Sequence, residues 1–310
     1  MTRWTYDERR RGGRRSASMQ FRRCPSAFRL RMTVPNEFPD PATVSADLER
    51  LEGEIRPLGR LIVAFSGGVD SGVLLAAAAR VLGSDVVALT ADSPSMPRRE
   101  LAGAIDFARS LGVEHRVVAT DEMSRPDYVK NDRDRCFFCK QTLFETCAAI
   151  AAAEGWDAIA YGFTLDDVGD HRPGHRAASQ FGVHAPLRDS GLGKERIRAI
   201  ARELGLELWD KPAAPCLSSR IPYGSEVTIE KLSAVERMEA RLHDLGFEVC
   251  RARFDGRQMR IELQQADIPR AVEPGMRAIL LEEARQAGAA LVSLDLEGFE
   301  SGKLNRSTLQ

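Results

Sequence analysis

Short apolar runs alternate with longer amphipathic stretches in the first two thirds of the chain. The run 61–65 is wholly apolar, which is typical of a buried parallel strand. Further strands are predicted at 86–91, 115–120 and 158–161. Helical patterns cover 43–58, the stretch ending at residue 82, 98–111, 139–154 and 194–204. Strands and helices in this order predict a doubly wound α/β domain with a parallel sheet.

The pattern changes after Lys211-Pro212. A helix is predicted at 229–245, and two strands, 247–254 and 258–263, flank Asp255-Gly256, a pair that strongly favours a hairpin turn. A helix at 274–287 and a strand at 290–294 follow. The sequence therefore predicts three parts, which are a disordered Arg-rich tail (1–37), the α/β domain (38–212) and a small α+β domain (213–310).

The tail is the most basic part of the chain, with ten arginines between residues 2 and 32. It has no apolar core of the kind found in secretory signals. A disordered extension upstream of a start at Met32 is the favoured interpretation. A nucleic-acid-binding arm or an organelle-targeting peptide is the alternative, which the Arg and Ser content supports and which Asp7 and Glu8 oppose.

Composition and net charge limit the classes of protein to which the chain can belong. A chain of 310 residues with 43% hydrophobic residues can bury a sizeable core, and a net charge of -1 gives no general attraction to nucleic acids or anionic membranes. No apolar run is long enough for a membrane span. Six cysteines without an export signal favour the reducing cytoplasm over a disulfide framework.

The first predicted strand runs directly into a loop suited to phosphates. Gly67 and Gly68 lack a Cβ and let backbone N–H groups come close, and the following helix adds its positive N-terminal end. Ser66 and Ser71 supply hydroxyl donors, and Asp70 is suited to a Mg²⁺ that bridges phosphates. The loop lacks the Lys-Ser/Thr ending of kinase-type phosphate loops. The alternative is an ordinary glycine turn without a ligand.

Three cysteines stand in patterns that suggest chemistry. Cys136 and Cys139 are two helix-start thiols whose spacing lets them meet one metal or cluster. Cys216 follows the end of the α/β part, and nearby Arg220 would favour its thiolate. A redox pair, half a zinc site or unrelated thiols are the alternatives. The remaining cysteines have no partner pattern and are expected to be tail or core thiols: Cys24, Cys147 and Cys250.

The string from Ser66 to Ser71 resembles the signature of the N-type ATP pyrophosphatases. That superfamily has an adenine-nucleotide α-hydrolase-like fold and transfers AMP from ATP to a substrate, with release of pyrophosphate. Five further strings match a narrower family: 90–101, 166–174, 209–212, 216–224 and 295–302. With them, the chain from about residue 48 to 305 resembles the LarE-type ATP-dependent sulfur transferases of nickel-pincer cofactor assembly.

The resemblance implies a substrate and a sulfur source. The expected substrate is a pyridinium dicarboxylate mononucleotide, whose carboxylate is adenylylated and then converted to a thiocarboxylate. Cys216 is the expected sulfur source, either sacrificed to leave dehydroalanine or joined with Cys136 and Cys139 to bind a 4Fe-4S cluster. Since all three are present, the cluster type is expected. Asp70 and Arg220 complete the expected catalytic set.

The resemblance also implies ligand contacts. ATP is expected to contact Ala64, Thr90 and Gly162 in addition to the loop, with Mg²⁺ on Asp70. A homo-oligomer built through the small domain is expected from the resemblance as well. The turn after Gly162 departs from the family pattern, with Phe163 where an Asn-containing turn is usual, and so does Gln180.

A basic pair in the small domain is a candidate for the substrate's phosphate. Arg251 and Arg253 are spaced i, i+2 and so share one face of a strand, where Glu262 is placed to orient them. The alternative is a solvated strand face.

Three rival functions remain open. A tRNA thiolase would also use a CxxC pair, a third cysteine and this loop, but after residue 37 no dense basic or aromatic-interleaved stretch suggests RNA binding. An ammonia-dependent amidating synthetase of the same superfamily would not need three placed cysteines. A non-catalytic ATP-binding module would not need the intact Asp70, Cys216 and Arg220.

Overall fold

A computed structural model describes residues 40–168 and 173–303, all within one compact unit, residues 38–310. The predicted disordered tail, Cys24 and residues 169–172 of the 166–174 string lie outside the described residues. Within them, no helix combines the length and the hydrophobicity of a membrane span.

The first sheet has four parallel strands in the order β3-β2-β1-β4. Its order reverses at β1, because β2 and β4 lie on opposite sides of that strand. Each strand overlaps a predicted one, within one residue at either end. The strands are β1 (Leu61–Ala64), β2 (Val86–Asp92), β3 (Glu114–Ala119) and β4 (Ala158–Tyr161).

Helices cover both faces of this sheet. The helices of this part are α1 (Pro41–Ile55), α2 (Val69–Leu82), α3 (Arg98–Ser110), α4 (Pro126–Val129), α5 (Arg135–Glu154), α6 (Pro173–Gln180), α7 (Pro186–Asp189) and α8 (Lys194–Glu203). Val63 packs with residues of α1, α2, α3 and α8, whereas neighbouring Ile62 packs with α5 and α6. Successive residues of a strand point to opposite faces, so β1 is buried on both sides. The predicted doubly wound, adenine-nucleotide α-hydrolase-like fold is confirmed.

Helix α5 begins at Arg135, four residues before the predicted start at 139. Aromatic residues are weak helix formers, which hides this first turn in the sequence. Packing overrides that preference, because Phe137 contacts the core of the first sheet and Phe138 contacts a second core. Both Cys136 and Cys139 consequently lie at the start of α5.

The second sheet contains β5 (Cys250–Phe254), β6 (Gln258–Leu263) and β7 (Leu291–Leu294). Strands β5 and β6 form the predicted antiparallel hairpin, in which Gly256 has a φ of 104°, and β7 pairs with β6 in parallel. Strand β5 starts three residues later than predicted, because Phe247 caps the preceding helix by donating its N–H to Leu242 O. The accompanying helices are α9 (Ile229–Asp244), α10 (Ile268–Val272) and α11 (Pro274–Gln286).

The second core is not built from the second sheet alone. Tyr128 of α4 is buried in it, and Phe138 and Cys139 of α5 pack against it. The two sheets are therefore joined by side chains of the first part. The domain boundary at residue 212 stays a prediction.

Candidate active site

A cavity of about 90 Å³ opens at the carboxyl ends of β1 and β4. This is the reversal point of the strand order, where open α/β sheets bind their ligands. Six of the eight lining residues belong to the predicted ATP site. The lining consists of Ala64, Ser66, Gly68, Asp70, Ser71, Lys140, Tyr161 and Gly162.

The loop between β1 and α2 is closed by its two serines. The Ser71 hydroxyl donates to Gly68 O at 3.2 Å and accepts from the backbone N–H of Ser66 at 3.3 Å. The two hydroxyl oxygens are 3.1 Å apart. Since the Ser71 proton goes to Gly68 O, Ser66 is the donor between them. Gly67 has a φ of 75°, a conformation that favours glycine.

Gly162 brings β4 against the start of α2. A Cβ at this position would lie 2.8 Å from the backbone nitrogen of Ser71 and 3.0 Å from its Cα. Real Cβ atoms do not approach backbone so closely, so only glycine fits without a shift. Gly162 thus allows the cavity to form between the two elements.

Thr90, a predicted ATP contact, lies beneath the loop and does not line the cavity. Its buried hydroxyl donates to Phe65 O at 2.7 Å, and His115 Nε2 lies 2.8 Å from the same hydroxyl. Because the only Thr90 proton is used by Phe65, His115 must donate through Nε2. Burial lowers the pKa of His115 below its ordinary value of 6.5. Thr90 therefore supports the first residue of the loop.

Lys211 reaches the loop from the far end of the α/β part. Its ammonium donates to Gly67 O at 2.9 Å and pairs with Glu100 of α3 at 2.8 Å. Gly67 itself does not line the cavity, whereas Gly68 does.

Two of the three cysteines of α5, Cys136 and Cys139, lie just before the residue of this helix that lines the cavity. Lys140, which follows Cys139 directly, is one of the lining residues. Cys136 is exposed and Cys139 is half-buried. The start of α5 thus contributes both the CxxC thiols and a residue of the cavity wall.

Cys216 is held to the same edge of the first sheet. The N–H of the next residue, Leu217, donates to Ser95 O at 2.8 Å, in the loop that follows β2. Loops after parallel strands emerge at one edge of the sheet, so this contact places Cys216 at the edge that carries the cavity.

The three thiols share one electrostatic environment. Burial, and after it the nearby Cys216, raises the pKa of the Cys139 thiol to about 12. Burial lowers the pKa of Arg135, but nearby Cys216 and Cys136, together with Tyr128 and Tyr223, outweigh this effect and the net shift is upward. Among residues 40–168 and 173–303, no three His, Cys, Asp or Glu side chains are grouped to hold a metal ion.

Arg220 acts on the backbone around Cys216. Its buried guanidinium forms two hydrogen bonds with Glu239 and donates to Cys216 O at 3.0 Å. The expected proximity to Cys216 is observed, but the charge of Arg220 is already paired with a carboxylate. The guanidinium therefore fixes the backbone of residues 216–220, which we call the cysteine loop.

Arg251 and Arg253 lie on β5, which pairs with β6. Glu262 is fully buried and binds Arg253 through two hydrogen bonds, 2.9 and 3.1 Å long. Arg253 also donates to Ser219 O at 2.8 Å, in the loop after Cys216. Arg251 stacks over the ring of Phe299 at 4.9 Å. The pair is thus brought next to the cysteine loop.

Comparison with known proteins identifies the family. The model of queuosine biosynthesis protein QueC matches residues 60–128. An uncharacterized protein of Synechocystis sp. is 42% identical over 263 residues, 85% of this chain and 98% of the relative. The pyridinium-3,5-bisthiocarboxylic acid mononucleotide synthase of Lactiplantibacillus plantarum is 35% identical over 266 residues, 85% of this chain and 95% of the relative. The chain belongs to the LarE-type family of ATP-dependent sulfur transferases. A tRNA-specific 2-thiouridylase of Azorhizobium caulinodans is 30% identical over 49% of each chain.

The structure of this LarE-type chain adds residues that sequence reasoning missed. Lys140 follows the CxxC pair and Lys211 lies in the 209–212 string. The sequence therefore marks both positions, but it does not predict their contacts. Tyr128 has no sequence signal, and Arg135 stands out only as the basic residue before Cys136. The Tyr128 hydroxyl is 2.6 Å from Ser218 Oγ, and Arg135 donates to Ser218 O at 2.8 Å.

The turn that departs from the family pattern has a packing role. Phe163 is buried and stacks in parallel on His175 at 4.3 Å between ring centroids. His175 Nδ1 in turn lies 2.9 Å from the hydroxyl of Tyr161, which lines the cavity. Phe163 thereby holds α6 against β4. Gln180 is the last residue of α6.

Proposed function

We propose that this chain uses ATP to activate a carboxylate of a pyridinium dicarboxylate mononucleotide and replaces it with a thiocarboxylate, for nickel-pincer cofactor synthesis. The name of the Lactiplantibacillus relative supports the substrate. The observation that carries the proposal is the position of Lys140, which lines the nucleotide cavity directly after Cys139. A sulfur transferase needs its activation and sulfur sites within reach of one substrate.

In the first step an oxygen of the substrate carboxylate attacks the α-phosphorus of ATP. The bond from that phosphorus to the pyrophosphate oxygen breaks, and an acyl adenylate and pyrophosphate form. The backbone N–H groups at the N-terminal end of α2 would hold the departing pyrophosphate. The Ser66 and Ser71 hydroxyls, which are paired within the loop, would add donors by turning from these partners to the phosphates. Asp70 is a suitable Mg²⁺ ligand, because it lines the same cavity and its side chain is a carboxylate.

In the second step a sulfur nucleophile attacks the acyl carbon. The bond from carbon to the AMP oxygen breaks, and AMP leaves with that oxygen and its electron pair. The nucleophile would be a sulfide held at the site of Cys136, Cys139 and Cys216, so the product is a thiocarboxylate without cleavage of a cysteine Cβ–S bond. Arg220 fixes the backbone of this site through Cys216 O. A carboxylate oxygen is a poor leaving group, so this step depends on prior transfer of AMP.

We assign Cys136, Cys139 and Cys216 as ligands of a 4Fe-4S cluster. Thiolates are the usual cluster ligands, and each binds a different iron, so they need not converge on one ion. Their shared environment beside buried Arg135 fits an anionic group. When bound, the cluster would supply the sulfide that the substrate receives.

The mononucleotide phosphate is assigned to Arg251 and Arg253. Arg253 is oriented by Glu262 and contacts the loop of Cys216 through Ser219 O. A phosphate held there would place the rest of the substrate near the cysteine loop.

The cellular setting is also part of the proposal. The five described cysteines are free thiols, which supports a reducing compartment, and we assign the protein to the cytoplasm. A homo-oligomer built through the small α+β part is proposed from the family resemblance.

The test is an anaerobic reaction of the full chain with ATP, Mg²⁺ and the pyridinium dicarboxylate mononucleotide. We expect AMP and pyrophosphate to form only when the mononucleotide is present, together with a thiocarboxylate product detected by mass spectrometry. Asp70→Asn should abolish AMP formation. Asp85→Asn is the matched control, because Asp85 follows α2 at its other end and should not affect the reaction.

Parallel reactions separate the rivals. AMP formation that requires tRNA instead of the mononucleotide would favour a tRNA thiolase, and an amide product that requires ammonium would favour an amidating synthetase. ATP binding without AMP formation in every reaction would favour a non-catalytic module.

A further inference from the structure

We infer that Lys211 is a positioning residue of the phosphate loop, which orients the Gly67–Gly68 peptide for pyrophosphate. The inference rests on the proposed function of this loop. It assigns a role to the 209–212 string that activation and sulfur transfer leave unexplained.

The orientation of one peptide carries the argument. Lys211 Nζ holds Gly67 O at 2.9 Å. No peptide bond in the described residues is cis, so the C=O of Gly67 and the N–H of Gly68 point in opposite directions. Gly68 lines the cavity and Gly67 does not. An ammonium that fixes the carbonyl on the outer side therefore turns the N–H of Gly68 toward the ligand side.

The peptide needs such a restraint because it joins two glycines, whose backbone dihedral angles are not limited by a Cβ. Gly67 and Gly68 have wide conformational freedom, and a flip of their peptide would present a carbonyl oxygen to the phosphates. That oxygen would repel an anion. Glu100 fixes the ammonium in turn, since Lys211 Nζ pairs with its carboxylate at 2.8 Å. The restraint thus runs from α3 through Lys211 to the loop.

The backbone of Lys211 is held independently of its side chain. Its N–H donates to Leu208 O at 3.0 Å, and its carbonyl accepts from Arg198 at 2.8 Å. Replacing the ammonium should therefore leave the chain path intact. The next residues lead to Cys216, and Ala213 O accepts a hydrogen bond from Arg251 at 3.2 Å. One short segment consequently contacts the phosphate loop, the basic pair and the sulfur site.

The test compares binding of two ligands to the full chain by titration calorimetry. Inorganic pyrophosphate with Mg²⁺ reports on the loop, whereas AMP lacks the β- and γ-phosphates that the loop would hold. We expect Lys211→Met to weaken pyrophosphate binding by about 10- to 100-fold, the effect of losing a charged hydrogen bond. AMP binding should change by less than about threefold, within the scatter of unrelated substitutions.

Lys231→Met is the matched control. Lys231 is also half-buried, and its ammonium donates to Ser225 Oγ at 2.8 Å and Glu226 O at 2.7 Å, in the second part of the chain. Its replacement should change neither ligand. Glu100→Gln keeps the bond from Lys211 to Gly67, so it should weaken pyrophosphate binding less than Lys211→Met does. This variant also tests the inference if Lys211→Met does not fold.

The outcomes are distinguishable. Unchanged pyrophosphate binding by Lys211→Met, or an equal loss of pyrophosphate and AMP binding, would overturn the role of Lys211 while leaving the proposed function in place. A wild-type chain that binds ATP but shows no affinity for pyrophosphate would overturn the phosphate loop itself, and the inference with it.

Discussion

Arg220 and Glu239 form a buried pair with two parallel hydrogen bonds, 2.9 and 3.0 Å long. The same carboxylate accepts the N–H of Ala252 at 3.1 Å, and the same guanidinium donates to Cys216 O at 3.0 Å. One ion pair therefore ties α9 and β5 to the cysteine loop. Its strength should be visible in the stability of the protein.

Glu239→Ala should lower the free energy of unfolding by about 3–5 kcal/mol, because it leaves a buried guanidinium without its carboxylate. Urea unfolding measures the change. Glu283→Ala is the matched control, since Glu283 pairs with the half-exposed Arg237 and should cost about 1 kcal/mol or less. Equal losses in the two variants would contradict a special role of the buried pair.

Cys216→Ala should stop thiolation and leave ATP binding intact. The substitution removes the proposed sulfur site but touches none of the residues that line the nucleotide cavity. Calorimetry with ATP and mass spectrometry of the product measure the two properties. Cys250→Ala is the control, because Cys250 is buried in the second core. Thiolation by the Cys216 variant would rule out its assigned role.

Iron content tests the cluster assignment. We expect about four irons per chain after anaerobic purification, as in a 4Fe-4S cluster, and their loss in Cys136→Ala. Cys147→Ala should retain the iron, since Cys147 is buried in the core of the first sheet. A chain without iron that loses one sulfur from its mass during the reaction would instead indicate a sacrificial Cys216.

The pH dependence of stability should report on His115. Because burial lowers its pKa in the folded state, the unfolded chain takes up the proton first as the pH falls. The stability contributed by the neutral ring is complete above about pH 6.5 and is lost below it. His115→Gln preserves a donor toward Thr90 but does not titrate. Urea unfolding at pH 7 and pH 5 should show a smaller loss of stability in this variant, and an equal loss would contradict the explanation.

Sequence reasoning succeeded where structure is local. The apolar run before Ser66 and the glycines after it predict a strand, a turn and a helix from adjacent residues alone. The contact between Lys211 and Gly67 joins residues 144 positions apart, and it forms only because the folded chain brings Lys211 beside Glu100 of α3. Such a contact has no local pattern. The same holds for Tyr128 and Ser218, which are 90 positions apart.

Gly162→Ala should disrupt the nucleotide cavity. The new Cβ would lie 2.8 Å from the nitrogen of Ser71, so β4 and the start of α2 must move apart. We expect ATP binding to fall by at least about tenfold, because backbone donors at the helix start then lose their position. Gly53→Ala is the control, since a Cβ there meets no atom within 4 Å in α1. It should leave ATP binding unchanged and raise the free energy of unfolding by about 0.4–1 kcal/mol. Full ATP affinity in Gly162→Ala would show that the close approach of β4 to α2 is not required for binding.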